Sequence, residues 1–158
     1  MLIIFRVVAV TSAGLLAGIF VGHRMGVQYA LPVLSASSFV QLQQIIHKHY
    51  VQFMPLLVLI ALLSSVFWLV MVRSQWRTGE FWLVAISACA ILLIGVATRA
   101  VNIPLNNQLM TWSVASPPAN LQEIWAPWDR VNTLRSVLAS GALVLETVAL
   151  SLRAIGGR

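Results

Sequence analysis

Two short stretches carry most of the polar chemistry in an otherwise apolar chain. The first runs from Thr98 and Arg99 through Asn102 to Asn106 and Asn107. The second runs from Trp125 through Trp128, Asp129, Arg130 and Asn132 to Arg135. Each of these groups is costly wherever water is absent, so their presence beside apolar sequence needs a reason. Thr98, Asn102 and Asn106 recur every four residues, with Pro104 interrupting the second turn. Asp129, Asn132 and Arg135 follow three-residue steps that align them at the start of a helix, where Asp129 suits the positive end of the helix dipole. Guanidinium and carboxamide groups held together in this way can stabilise an oxyanion, or they can cap helix ends and pair with one another.

The histidines, His23, His47 and His49, fall near the same stretches. Imidazole suits copper, iron or zinc, and it also suits proton transfer near neutral pH. His47 and His49 are two apart and point in different directions on a helix, which leaves His23 with His47 as the better metal or haem pair. Interfacial hydrogen bonding is the alternative for all three. Arg6 and Glu146 are the charges deepest in apolar sequence, where a charge costs about 2.5–3.5 kcal/mol on insertion scales. They lie at similar depth, which predicts a structural ion pair between them, with a proton-handling site as the other possibility.

The elements that must position these groups are set by composition. The chain has 158 residues, 59% hydrophobic and only 9% charged, with a mean hydropathy of +0.89. A soluble domain carries about 25% charged residues, so the chain reads as a membrane protein of one domain, residues 1–158. The net charge of +6 is scattered. It lacks the clustered basic face of a nucleic-acid binder and points to anionic lipid headgroups. Cys89, the single cysteine, reads as a buried small hydrophobe.

Apolar segments long enough to cross a bilayer, about 20 residues each, occur at 2–22, 53–72, 81–97 and 131–152. The expected fold is an all-α, integral membrane four-helix bundle. The first segment lacks a small-x-small cleavage site and contains Arg6, so it reads as a retained helix. Gly14, Gly18 and Gly22 let another helix, or a flat ligand, approach it closely. The short basic turn Arg73–Glu80, with Arg153 and Arg158, predicts both termini in the cytoplasm. Arg24, Lys48, Arg99, Arg130 and Arg135 fall on the opposite, outer side. Gln43, His47, Tyr50 and Met54 share one helical face, and Ser38–Val72 can form one helix of roughly 50 Å, kinked at Pro55. Between the third and fourth spans, Ile103–Pro127 reads as a short interfacial helix followed by a break at Ser116-Pro117-Pro118.

Several of these residues carry a resemblance. Asn102-Ile103-Pro104-Leu105-Asn106, Leu109 to Trp112, Pro117-Pro118 and the run Trp128 to Arg135 resemble the anthrone-oxygenase-like family of small four-helix membrane proteins. So do Ala17-Gly18, His47 to Tyr50, and Pro55. The family motif maps onto Asn102, Pro104, Asn106, Trp128, Asn132 and Arg135. The resemblance implies a four-helix membrane fold and oxidation of a polycyclic aromatic anthrone to an anthraquinone by molecular oxygen, with no cofactor required.

An anthrone is a carbon acid whose anion reacts directly with oxygen, so an enzyme needs a base, an oxyanion stabiliser and a dry aromatic pocket. In that scheme His47 is the base, and Arg99 or Arg135 with Asn102 and Asn106 holds the enolate oxygen. Tyr50, Trp125, Trp128 and Asn132 contact the rings. The expected partners are the lipid bilayer and a hydrophobic, anthrone- or quinone-like small molecule at an outer-face pocket, with no nucleic acid. Two other classes stay open. One is a non-catalytic membrane subunit or lipid-binding module that docks a membrane protein partner or a second copy. The other is a small redox protein with a metal or haem at His23 and His47. The lack of a visible internal repeat argues against a transporter.

Overall fold

The computed structural model describes residues 2–156, with side chains through Leu152. Arg158 and the Arg153 side chain, counted above among the basic groups near the termini, lie outside that description. The described residues are helical apart from short turns, with no strand among them. Helix α1 (Leu2–Gly22) runs into a π-helical turn (His23–Val27) and two short helical turns ending at Val33. Helix α2 spans Ala36–Met71 and α3 spans Gly79–Ala97. A second π-helical turn (Thr98–Asn102) joins α3 to α4 (Ile103–Leu109), and α5 spans Leu121–Gly156.

Local chemistry explains where the helices start. Ser35 caps α2 by accepting from the Ser38 N–H at 3.2 Å. Thr78 caps α3 by accepting from the Phe81 N–H at 3.4 Å. Each satisfies a donor that has no partner inside the helix. Helix α2 is thus the long helix expected. Helix α5 departs from expectation: it begins ten residues before 131, at Leu121, and carries Pro127 inside it. Proline removes the N–H that would bond the carbonyl four residues back. Here that carbonyl belongs to Glu123, at the exposed end of the helix, where solvent is at hand.

The four long helices form a bundle in which α3 packs most extensively on α5, α1 packs on both α2 and α5, and α2 packs less on α3. All four are long and apolar enough to cross a membrane. Large apolar side chains such as Leu15, Leu56, Leu63, Leu92 and Val144 point outward and are exposed. In water such a surface would drive aggregation; in a bilayer it meets hydrocarbon. The chain is a multi-pass membrane protein.

The core is layered. Ala9, Trp68, Val72, Val84 and Ala149 pack near the termini. Leu16, Phe20, Ala61, Ile91, Ile94 and Ala142 fill the middle. Leu31, Phe39, Val40, Leu109, Trp125 and Trp128 close the far end.

Packing corrects three expectations. The glycines of α1 are not one seam: a Cβ on Gly14 would meet Leu143 at 3.5 Å, whereas Gly18 and Gly22 face open space. The buried small residues of α1 are Ala9, Ser12, Ala13 and Ala17. Cys89 is exposed, not buried. Arg6 does not pair with Glu146. It forms an ion pair with Glu80, which also accepts from the Trp68 indole N–H at 2.9 Å. Glu80 sits in the first turn of α3, where the helix dipole favours a carboxylate. Glu146 instead faces the seam between α2 and α3, where Ser65 and Ser87 donate to its Oε1 at 2.6 and 2.8 Å.

Candidate functional site

A cavity of about 330 Å³ lies toward the end of the bundle opposite the termini, walled by α1, α2, α5, and α3 with its continuation into α4. Its deepest wall comes from α5. Trp128, Asn132 and Arg135 fall at i, i+4 and i+7, so one face of that helix presents all three. All three are buried. Asp129, expected to align with Asn132 and Arg135, is replaced on this face by Trp128. Asp129 lies well inside the lengthened helix and within electrostatic reach of Arg24.

Arg135 is held from several sides. Its Nη2 donates to Asn132 Oδ1 at 2.9 Å and its Nη1 to Thr98 Oγ1 at 3.3 Å. The guanidinium lies 4.8 Å from the Phe20 ring centroid and 5.5 Å from that of Trp128. Its Nε has no hydrogen-bond partner. Among the described residues the one ion pair is that of Arg6 with Glu80, so Arg135 has no carboxylate counter-charge. Asn132 in turn donates to Gln28 Oε1 at 3.1 Å, tying α5 to the segment that follows α1.

Two asparagines hold Trp128. Asn106 Oδ1 accepts from its indole N–H at 2.8 Å, and Asn102 Nδ2 donates to its backbone carbonyl at 3.3 Å. Trp125 stacks on the Trp128 ring at 4.9 Å and 18°. On the other side, the His23 ring lies 5.4 Å from Trp128 and 6.1 Å from Tyr50. His23 is buried, and neither ring nitrogen has a partner. Helix α2 contributes Gln43, His47, Tyr50 and Met54, the face anticipated from their spacing, and adds Pro55 and Val58. Pro55 removes the N–H that would bond the Val51 carbonyl, loosening the helix at the wall.

Both π-helical turns fall at the level of this cavity. Such turns insert one residue and re-aim the side chains beyond them. The turn at Thr98–Asn102 brings Thr98, Arg99 and Asn106 to the wall. It turns Asn102, fully buried, in behind Trp128.

The structure thus brings His23, His47, Tyr50, Arg99, Asn106, Trp128, Asn132 and Arg135 to one cavity. Asn102 and Trp125 do not line it; they position Trp128. His49 is exposed on α2 and stays outside, as its two-residue offset from His47 requires. His23 and His47, the pair weighed as ligands, share the cavity wall. No group of three or more His, Cys, Asp or Glu side chains placed to hold a metal ion occurs among the described residues. Sequence reasoning missed Phe20 and Gln28. Phe20 stands three residues before His23, a helical step that flagged it in principle, but nothing local distinguishes Gln28.

In comparisons with known proteins, a family model described as anthrone oxygenase matches residues 42–145. That stretch holds every cavity residue named above except Phe20 and His23. No curated protein and no solved structure matches the chain.

Proposed function

This chain belongs to the anthrone oxygenase family, and on that premise we propose that it is a membrane oxidoreductase that oxidises an anthrone-like aromatic with molecular oxygen in the cavity. The observation that carries the reading is Arg135: a buried guanidinium on the wall of an apolar cavity, without a carboxylate and with its Nε unpartnered. A cation so placed favours an anion arriving in the cavity.

The reaction follows from the carbon acidity of the substrate. His47 removes a proton from the ring methylene. The enolate oxygen is held by Arg135, oriented by Asn132 and Thr98, with Arg99 and Asn106 on the same wall. The electron-rich carbon adds oxygen to give a hydroperoxide, with the proton returned to the peroxide. Loss of water then yields the ketone, so one anthrone and one oxygen give one anthraquinone and one water. Tyr50 and Trp128 flank the rings, and the apolar lining keeps bulk water from the enolate. In this reading the cavity end faces outward and the termini lie in the cytoplasm, following the basic turn at Arg73 and Arg77.

Oxygen uptake by the purified protein with 1,8-dihydroxyanthrone tests the proposal. The wild type is expected to consume one oxygen per anthrone, and His47→Ala and Arg135→Ala to slow this by about 10²-fold or more. Equal uptake by all three, or none by the wild type, sinks it.

A further inference from the structure

The cavity walls are not equally covered. Phe20, His23, Asn132 and Arg135, on the α1 and α5 sides, are buried. Exposure rises toward α2 and α3: Val51 is 55% exposed, and Pro55 and Arg99 are exposed too. The mouth therefore lies between α2 and α3, the least extensively packed pair of neighbouring long helices. At that mouth Gly95 has no atom within 4 Å of where a Cβ would stand.

The surroundings of this mouth are hydrocarbon-facing. Leu56 and Leu59 on α2, and Leu92 and Val96 on α3, are each at least half exposed on helices apolar enough to span a membrane. Val58 also packs against the middle core layer, so the opening reaches the central depth of the bundle. At the end of the bundle, by contrast, a loop is held down; a second hollow of about 340 Å³ there, lined by Leu31, Phe39, Pro118 and Leu121 among others, shares no lining residue with the cavity. Gln44 Nε2 donates to the carbonyls of Leu109 and Trp112 at 3.0 and 2.9 Å, which ties the loop after α4 down onto α2. Trp112 of that loop packs with Trp125, which meets Phe39 in turn.

At about 330 Å³ the cavity stands near the low end of small-molecule sites, roughly 300–1,000 Å³. It has room for a ring system and little more. A substituent on the ring must leave through the mouth, and what lies outside the mouth is lipid.

We propose that the cavity is filled sideways from the bilayer, between α2 and α3 past Gly95, by an enol- or phenol-bearing ring whose hydrocarbon chain stays in the lipid. This rests on the reading of the cavity as a ring-binding site and names the kind of molecule that fills it. The acidic oxygen goes to the Arg135 end, the ring lies against Trp128, and the chain passes between Pro55 and Gly95.

A photolabel tests this in lipid nanodiscs: hydroxyanthraquinone bearing a long alkyl chain with a diazirine along it, with chain-free hydroxyanthraquinone as competitor. The expected result is competitor-sensitive adducts on the outward residues of α2 and α3 around Val51, Pro55 and Val96. Gly95→Phe is expected to cut that labelling about tenfold or more, and Gly95→Ala to leave it. Competitor-sensitive adducts confined to residues 110–120 would overturn the side entrance while leaving the ring site standing. Unchanged labelling in Gly95→Phe would do the same. No competitor-sensitive adduct anywhere would overturn the ring site and this inference with it.

Discussion

Each end of the bundle sets an arginine beside a tryptophan, at the same 5.5 Å from the ring centroid: Arg6 by Trp68 and Arg135 by Trp128. Near the termini the charge is answered. Glu80 pairs with Arg6 and also accepts from Trp68, and Ala9, Val72, Val84 and Ala149 pack with that tryptophan. Near the far end, Arg135 has a hydroxyl and a carboxamide as acceptors but no carboxylate, and it stands on the wall of an open cavity. Removing one partner of a buried ion pair leaves a stranded charge, whereas removing a lone buried charge relieves its desolvation. The same kind of substitution should therefore have opposite consequences at the two ends, and that contrast separates a structural charge from one kept for a ligand.

The largest effect is expected near the termini. Glu80→Leu strands Arg6 and should cost about 3–5 kcal/mol in denaturant unfolding in detergent, with Arg6→Leu in the same chain restoring most of it. A Glu80→Leu protein as stable as wild type would mean that the Arg6–Glu80 pair does not hold this end together. Next comes Arg135→Met on the cavity wall. Turnover of the anthrone should fall by about 10²–10³-fold, equivalent to about 2.7–4 kcal/mol of transition-state stabilisation. Its unfolding stability should stay within about 1 kcal/mol of wild type or rise. A large loss of stability with turnover per folded molecule preserved would make Arg135 a second structural charge.

The mildest change is expected in the middle of the bundle. Glu146 is fully buried, takes two serine hydroxyls on Oε1 and has no partner on Oε2. Glu146→Gln keeps an acceptor for both hydroxyls. It should change stability by about 1 kcal/mol or less and leave turnover unaltered. A marked loss of turnover in Glu146→Gln would join this carboxyl to the chemistry of the far end.

Much of this arrangement is written in local sequence. Apolar length places the four long helices, since about 20 residues of hydrocarbon-compatible chain have few other places to go. The face of Gln43, His47, Tyr50 and Met54 follows from helical period alone, and Ser35 and Thr78 announce their helices as caps. The grouping of Asn106, Trp128, Asn132 and Arg135 was visible as a motif, and the family match covers it. Other features were hidden because they depend on how each helix is rotated against its neighbours. Cys89 faces outward, Gly18 and Gly22 pack nothing, and Pro127 lies within a helix instead of before it.

Sequence spacing thus established the number of membrane helices, the residues that share each face, and the polar stretches that gather at one end. Those depend on the rise and period of a helix, which are properties of the backbone. Tertiary structure settled which charge meets which. Arg6 took Glu80 instead of Glu146, Trp128 displaced Asp129 from the cavity face, Asn102 turned behind Trp128 at a π-helical turn, and Gln28 reached Asn132 from far away in the chain. Such choices are made by helix rotation, axial offset and single-residue insertions. These are long-range packing outcomes in which small shifts redirect whole side chains.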